Sequence, residues 1–408
     1  MQAPVQTAPA VSPIRCVVFG DFSECDSFRK DWDAAVLSFG GSVYMTYDWC
    51  RTWWEFYGTG RQLRILVCYE DAKIVAIIPL YVDEIGFGFL NLRIARLVGS
   101  NIPPKPFTLA VSESVSAAVF RTILRQLFEQ DRCDLISIGP VSTTQPTTDI
   151  LERVCANDPD LVGRYETVTG VHSMFHLPAD MEQYFESLSS KERKNRKYEA
   201  RVMERGRVIK NDVVIDPSVV IEEFDQFAVQ HAQQWRAEGR PGHFGSWPRA
   251  LEFNRALVRR QAQQGRVRFI RILADNKVIA NQFTFSFGDS YYWELPSRDI
   301  APQWERISLG SAGALAMISA AIGEGKSRAE AGLASYEYKK RLGAVEYPTK
   351  IVRIVANRAV SLRRFKMFSA IRRGFEVGYH KIWYRRISPK LPPKFWRPQN
   401  MLWLRYDF

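Results

Sequence analysis

Histidine is scarce, cysteine is confined to one half, and no apolar run is long. The five histidines, His172, His176, His231, His243 and His380, form no HExxH or similar cluster, so nothing marks a metal centre. His172 and His176 stand four apart in a strand-like run and are expected in a sheet. The six cysteines, Cys16, Cys25, Cys50, Cys68, Cys133 and Cys155, show no CxxC spacing and sit mostly inside apolar stretches. That reads as reduced cytosolic thiols, not a disulfide framework or a zinc site. The longest apolar run, "IVAIIPLYV" (74–82), falls well short of the ~20 residues that cross a bilayer. The N-terminal "MQAPVQTAPAVSPIR" has neither a positive start nor an apolar core, so residues 1–30 are expected to be a flexible leader and not a secretory signal. No GxGxxG, no GxxxxGK[ST] and no Ser/His/Asp or Cys/His arrangement appears, which argues against a tightly bound cofactor and a covalent nucleophile. A cytoplasmic protein, soluble or held at a membrane surface, is the expectation.

What is present is apolar mass and a repeat. With 408 residues and 46% hydrophobic content the chain can bury a large core and should hold two or three domains. "LRILVCYEDAKIVAI" (63–77) and "VRFIRILADNKVIAN" (267–281) align without gaps at an offset of 204, from Asp71 to Asp275, with Arg64 on Arg268, Lys73 on Lys277 and Ala76 on Ala280. Each copy reads as strand, tight turn at Asp-x-Lys, strand. Each is followed by an amphipathic helix and a short strand: Phe120, Ile123, Leu124 and Leu127 share one helical face, and Leu315, Ile318 and Ile322 share the other. The chain is therefore expected to be α/β, a duplicated mixed sheet flanked by helices: copy one over 31–165, copy two over 166–357, then a tail over 358–408.

Copy two reads further. A strand over 167–177 leads to a helix opened by Ser189 and Glu192 at capping-box spacing and closed at Gly206. Ile221, Phe224, Ala228, His231 and Trp235 mark a second helix, followed by the strand pair, "SYYWELP" (290–296), a helix from about 311 and a strand near 330. The expected order is βααβββαβα. On the first helix Arg193, Lys197 and Arg201 share a face suited to an anionic acceptor or tRNA, or simply to solvent. Glu294 stands on a strand ahead of a helix mouth, where a carboxylate can act as base for an amine, with Asp299 placed to orient it.

The segments "SLSSKERKNRKYEARVMERG", Trp235, "GDSYYWELPSRD" (288–299), "SLG" (308–310) and "YKKRLG" (338–343) together resemble the GNAT acyltransferase fold. The likeness is to the "BioF2-like" or CelD-type bacterial acetyltransferases, relatives of the Fem aminoacyl transferases, and counts copy one as degenerate. It implies direct acyl transfer from a thioester or aminoacyl ester to an amine, with Trp235 as a candidate stacking platform or core residue. It also implies a pyrophosphate loop of the form Q/RxxGxG/A at a helix N-terminus. Here Arg306, Ser308, Gly310, Ser311, Ala312 and Gly313 occupy that place, with the first glycine one residue late. The donor thus stays open between acyl-CoA and aminoacyl-tRNA. By the same resemblance Tyr338, ahead of Gly343, protonates the leaving thiolate, and Lys339 offsets transition-state charge. Lys339, Lys340 and Arg341 read without the family as a solvated helix face.

Copy one carries no tyrosine–lysine pair, so it is expected to be a scaffold or acceptor-binding half, with "NIPPKPF" (101–107) as a loop over the cleft. Residues 359–408 hold twelve cationic and two acidic side chains, +10 of the net +12, interleaved with aromatics such as Phe365, Trp383 and Trp396. That suits an anionic membrane surface or nucleic acid. The function expected is acyl transfer to an amine acceptor, an amino sugar among the candidates, in cell-envelope or exopolysaccharide synthesis. An idle scaffold of a polysaccharide-synthesis complex and a tRNA-dependent aminoacyl transferase are the rivals.

Overall fold

The computed structural model describes residues 13–87, 90–101, 103–240, 242–387 and 390–392. The first copy supplies β1 (Ile14–Phe19), β2 (Gln62–Glu70), β3 (Lys73–Phe87), β4 (Leu90–Leu97), β5 (Ala110–Val111) and β6 (Leu135–Ser142). A long strand, β7 (Val162–His176), leads to β8 (Ile209–Val214), β9 (Val267–Ala274), β10 (Lys277–Phe287), β11 (Ser290–Arg298), β12 (Arg328–Leu333) and a second long strand, β13 (Val345–Ala356). The helices of copy one are α1 (Arg29–Ser38), α2 (Tyr47–Tyr57), α3 (Ser116–Arg125) and α4 (Thr147–Ala156). Those after β7 are α5 (Met181–Ser187), α6 (Ser190–Glu204), α7 (Val220–Ala237), α8 (His243–Ser246), α9 (Ala250–Gln263), α10 (Leu309–Gly323), α11 (Glu337–Arg341) and α12 (Ala359–Glu376).

The duplication is visible in detail. β2 turns into β3 through Asp71 (φ 53°) and β9 into β10 through Asp275 and Asn276 (φ 50° and 65°). Short polar side chains tolerate this left-handed backbone. The β2–β3 ladder skips Val75 and the β9–β10 ladder skips Ile279, the same residue under the offset. Arg64 pairs with Asp131 after the helix of copy one, and Arg268 with Glu324 after the helix of copy two.

All thirteen strands form one mixed sheet, in the order β1-β2-β3-β4-β6-β13-β7-β12-β11-β10-β9-β8, with β5 beside β3. The two long strands at its centre are exchanged between copies. β13, from the end of copy two, lies against β6 of copy one, and β7, which follows copy one, lies against β12 of copy two. An expected boundary at 165/166 therefore falls inside β7. One core cluster also runs across both copies, with Phe253 of α9 packed on Trp49, Phe56 and Tyr57 of α2.

Other expectations change at the same stage. Residues 14–19 are no leader: β1 pairs with β2 through six residue pairs, and Phe22 and Cys25 behind it are buried. Residues 1–12 lie outside the described part. The order βααβββαβα omitted α5, β8, the short α8, α9 and β13. The start of the tail is a docked helix, because Phe365 and Phe368 of α12 bury against Leu92, Ile94, Leu135 and Val355. Asp134 holds it in place, accepting from Ser361 Oγ at 2.6 Å and pairing with Arg364 at 3.0 Å. Among the described residues no helix is long and apolar enough to cross a membrane.

Candidate active site

The sheet opens between β11 and β12. These parallel strands pair only from Ser290–Tyr292 to Arg328–Glu330 and then part. The cause is local: the β10–β11 ladder jumps from Phe283–Leu295 to Thr284–Trp293, leaving Glu294 as a bulge that turns β11 away. In copy one β4 and β6 also pair briefly and part, but β4 runs against β3 without a bulge.

Alternation along β11 sends Tyr291 and Trp293 to one face and Tyr292 and Glu294 to the other. On the first face Lys339, only 5% exposed, donates from Nζ to the Ala331 carbonyl of β12. Its ammonium lies 4.7 Å from the Tyr336 ring centre and 5.8 Å from that of Trp293. Burial brings its pKa down to about 8. Tyr338 meets Trp293 edge to face at 6.4 Å, and burial, with Tyr336 nearby, pushes its phenol up to about 12. The position is fixed by the end of α11: Ala344 N–H bonds the Lys339 carbonyl, Gly343 N–H bonds that of Lys340, and Gly343 takes φ 88°. This is a Schellman stop, in which glycine serves the helix end. Tyr184 Oη braces the same turn by donating to the Leu342 carbonyl.

On the second face the Glu294 carboxylate is buried, accepts from Tyr44 Oη at 2.8 Å and pairs with Lys105. Both partners come from copy one, Lys105 from the proline-rich 101–107 segment. Tyr44 is clamped edge-on by Trp49, Phe107 and Tyr292. Burial, then the Glu294 charge, holds its phenol well above the ordinary range. Lys339 and Glu294 thus flank one gap from opposite faces, and copy one furnishes part of the wall.

The remaining predicted residues are placed differently. Asp299 does not orient Glu294; its carboxylate bonds Lys277 at 2.8 Å and the Ala301 amide at 3.0 Å, which lowers its pKa and fixes the turn after β11. Gly313 serves packing, since a Cβ there would lie 2.2 Å from Gln282 Nε2, whose amide oxygen accepts from Trp293. Ser311 and Ala312 also point inward, whereas Arg306 and Ser308 are exposed and Gly310 has open space where a Cβ would go. Arg193 donates to the Phe185 and Glu186 carbonyls and so closes the end of α5; Lys197 and Arg201 are exposed. Trp235 lies elsewhere, with His231 tilted against it, His243 edge-on and the Arg240 guanidinium over its ring.

Sequence reasoning missed several participants. Glu199 accepts from the Ser308 amide and ties α6 to the mouth of α10. A serine–histidine–glutamate row, which the sequence does not announce, crosses the central strands: His172 Nε2 is 2.8 Å from Ser142 Oγ and Nδ1 is 3.3 Å from Glu330 Oε2. Ser142 is 2% exposed and its hydroxyl also accepts from the Thr144 amide, so the row stitches β6, β7 and β12 together and presents no free nucleophile. Among the described residues no group of three His, Cys, Asp or Glu side chains is placed to hold a metal ion.

Residues 190–340 match the family model described as "Acetyltransferase (GNAT) domain". Comparison with curated protein sequences gives no match. Among solved structures, that of FemX superposes with a TM-score of 0.56 at 10% identity, covering 79% of this chain and 95% of FemX. A tandem GNAT protein from the clavulanic acid biosynthesis pathway gives 0.41 at 10% identity over 84% and 98%. The C-terminal domain of a putative lysylphosphatidylglycerol synthetase from Agrobacterium fabrum gives 0.47 at 10% identity over 84% and 95%. At such identity the likeness to FemX is one of fold. Residues 190–340 are thus similar to a GNAT acetyltransferase domain, and the chain as a whole shares the fold of FemX.

Proposed function

We propose that the protein transfers an acyl group from acyl-CoA to an amine, with the chemistry in the gap between β11 and β12. The observation that carries this is the burial of Lys339 at that gap, opposite the bulge at Glu294. A lysine is desolvated at several kcal/mol unless its charge or its lone pair has a use. The attacking amine forms the C–N bond as the C–S bond of the thioester breaks. Lys339 offers a fixed cation to the oxyanion, Tyr338 supplies a proton to the departing thiolate, and Glu294 accepts the proton lost by the amine. Tyr44 and Lys105 act as positioning residues for Glu294. Arg306 and Ser308, exposed at the mouth of α10, are the groups left to meet the donor's phosphates. The acceptor class, an amino sugar of a cell-envelope polysaccharide as in the CelD-type likeness, rests on that resemblance, and the inner leaflet is the proposed place of work.

The test is release of free CoA thiol from acetyl-CoA with a panel of amino sugars. Lys339→Ala should cost about a hundredfold in kcat, the scale of one oxyanion donor, and Tyr338→Phe somewhat less. Wild-type turnover should fall as pH rises through about 8, where Lys339 loses its proton. Unchanged turnover in both variants would sink the assignment. No thermal stabilisation by acetyl-CoA, together with salt-sensitive binding of charged tRNA, would move the donor to aminoacyl-tRNA.

A further inference from the structure

A cavity lies away from Lys339, at the centre of the sheet between the two copies. It has a volume of about 450 Å³ and fills the place where β4 and β6 part, beneath α12. At the corresponding parting in copy two, between β11 and β12, stand Trp293 and Lys339. Ile94, Val168, Ile351 and Phe368 form apolar walls, and Arg96, Arg353 and Arg372 bring three guanidinium groups to the lining against one carboxylate, Glu376. Leu333 and Ala334, immediately ahead of α11, form the far end.

The three arginines are not equally engaged. Arg353 pairs with Glu166 at 3.0 Å, and Arg96 is 5% exposed. Arg372 is half-buried and has no hydrogen bond or ion pair with the described residues. Burial first, then the charge of Arg353, lower its pKa to about 10, against the opposing charges of Glu376 and Glu166 and with a smaller push down from Arg96. A desolvated cation beside two like charges is unfavourable unless an anion completes the set. Glycine at 170 keeps the floor clear, since a Cβ there would lie 2.8 Å from Thr349 Oγ1.

We propose that this cavity is a binding site for an amphiphile with an acidic head, the head set on Arg372, Arg353 and Arg96 and the apolar body along Ile94, Val168, Ile351 and Phe368. The site is shared, with Ile94 and Arg96 from copy one and Val168, Ile351, Arg353, Phe368 and Arg372 from the strands and helix that follow it. The site stands independently of the acyl-transfer reading, because it requires only occupancy. Two sources share this chemistry, a lipid phosphate and a fatty carboxylate.

Calorimetric titration of the full chain, without acetyl-CoA, tests it with dodecyl phosphate, dodecanoate and inorganic phosphate, all below micelle-forming concentrations. One or both amphiphiles should bind. The tighter of the two identifies the head: dodecyl phosphate for a lipid phosphate, dodecanoate for a fatty acid. Inorganic phosphate should bind at least tenfold more weakly than dodecyl phosphate. Arg372→Gln should weaken amphiphile binding at least tenfold, and Val168→Trp, which narrows the cavity without touching the arginines, should weaken it too, each checked for native circular dichroism. Absence of binding by both amphiphiles, equal binding of bare phosphate, or undiminished affinity in a folded Arg372→Gln would overturn the proposal.

Discussion

A single buried ammonium makes Lys339 measurable without any knowledge of substrate. Its pKa of about 8 in the folded chain lies below the ordinary 10.5. Between those values the unfolded chain holds a proton that the folded chain has lost. Unfolding then takes up a proton, so stability rises with pH across that window. Lys339→Met removes the desolvation cost, on the order of 3 kcal/mol. The variant should therefore melt above wild type at pH 7 and lose that advantage toward pH 10. A constant difference across the range would mean that Lys339 pays nothing for its burial. Lys105 behaves in the opposite way. Lys105→Met leaves the buried Glu294 carboxylate without its ammonium and should cost about 3 kcal/mol. The double change with Glu294→Gln should recover most of that in denaturant titration; additive losses would show that the two groups are not coupled. The tyrosine–lysine pair came to notice through the family resemblance, and Glu294 through its place on a strand ahead of a helix mouth. Tyr44 and Lys105, which bond Glu294, carried no such signal, because 250 and 189 positions of chain separate them from it.

At the scale of elements, legibility followed periodicity. The Asp-turn strand pairs, the Ser189-capped helix and the helix ending at Gly323 each carry a local signal, and each appears in the fold. The helix α9 had one too, with Phe253, Leu257, Val258 and Gln261 buried at helical spacing, but it lay between the second helix and the strand pair, where no element was expected. In the same way the stripe Leu362, Phe365, Phe368 and Ile371 on α12 was masked by the surrounding arginines and lysines. This changes how the basic segment should be tested. Removing residues 359–408 uncovers Leu92, Ile94, Leu135 and Val355 and should lower the melting temperature by several degrees. Each fully buried phenylalanine is worth roughly 1.5–3 kcal/mol. Removing only 388–408 should weaken sedimentation with anionic vesicles while leaving α12 in place, since Lys390, Lys394, Arg397 and Arg405 depart. Full sedimentation after the shorter cut would assign membrane attachment to the exposed Arg373, Lys381, Arg385 and Arg386, or to none of these charges.

Over the whole molecule the repeat suggests two separable domains, and the strand order opposes it. Composition and periodicity report which segments are strands; they carry no record of which strands become neighbours, and that is why the exchange of β7 and β13 was not visible in the sequence. Without β13, copy one has no partner for the inner edge of β6, whose buried residues include Ile136 and Ile138. Without β7, copy two has none for β12. An unpaired apolar edge at the middle of a sheet invites aggregation. The fragment 1–161 expressed alone should therefore be insoluble or lack a cooperative transition, and 162–408 should fare little better, since Phe253 loses its cover from Trp49, Phe56 and Tyr57. Produced together, the two fragments should assemble into a one-to-one complex with a single melting transition, because the cut removes no strand and breaks no ladder. A soluble, monomeric 1–161 that unfolds in one sharp step would show that copy one closes its own sheet, and the exchanged strands would then be an addition to two finished domains.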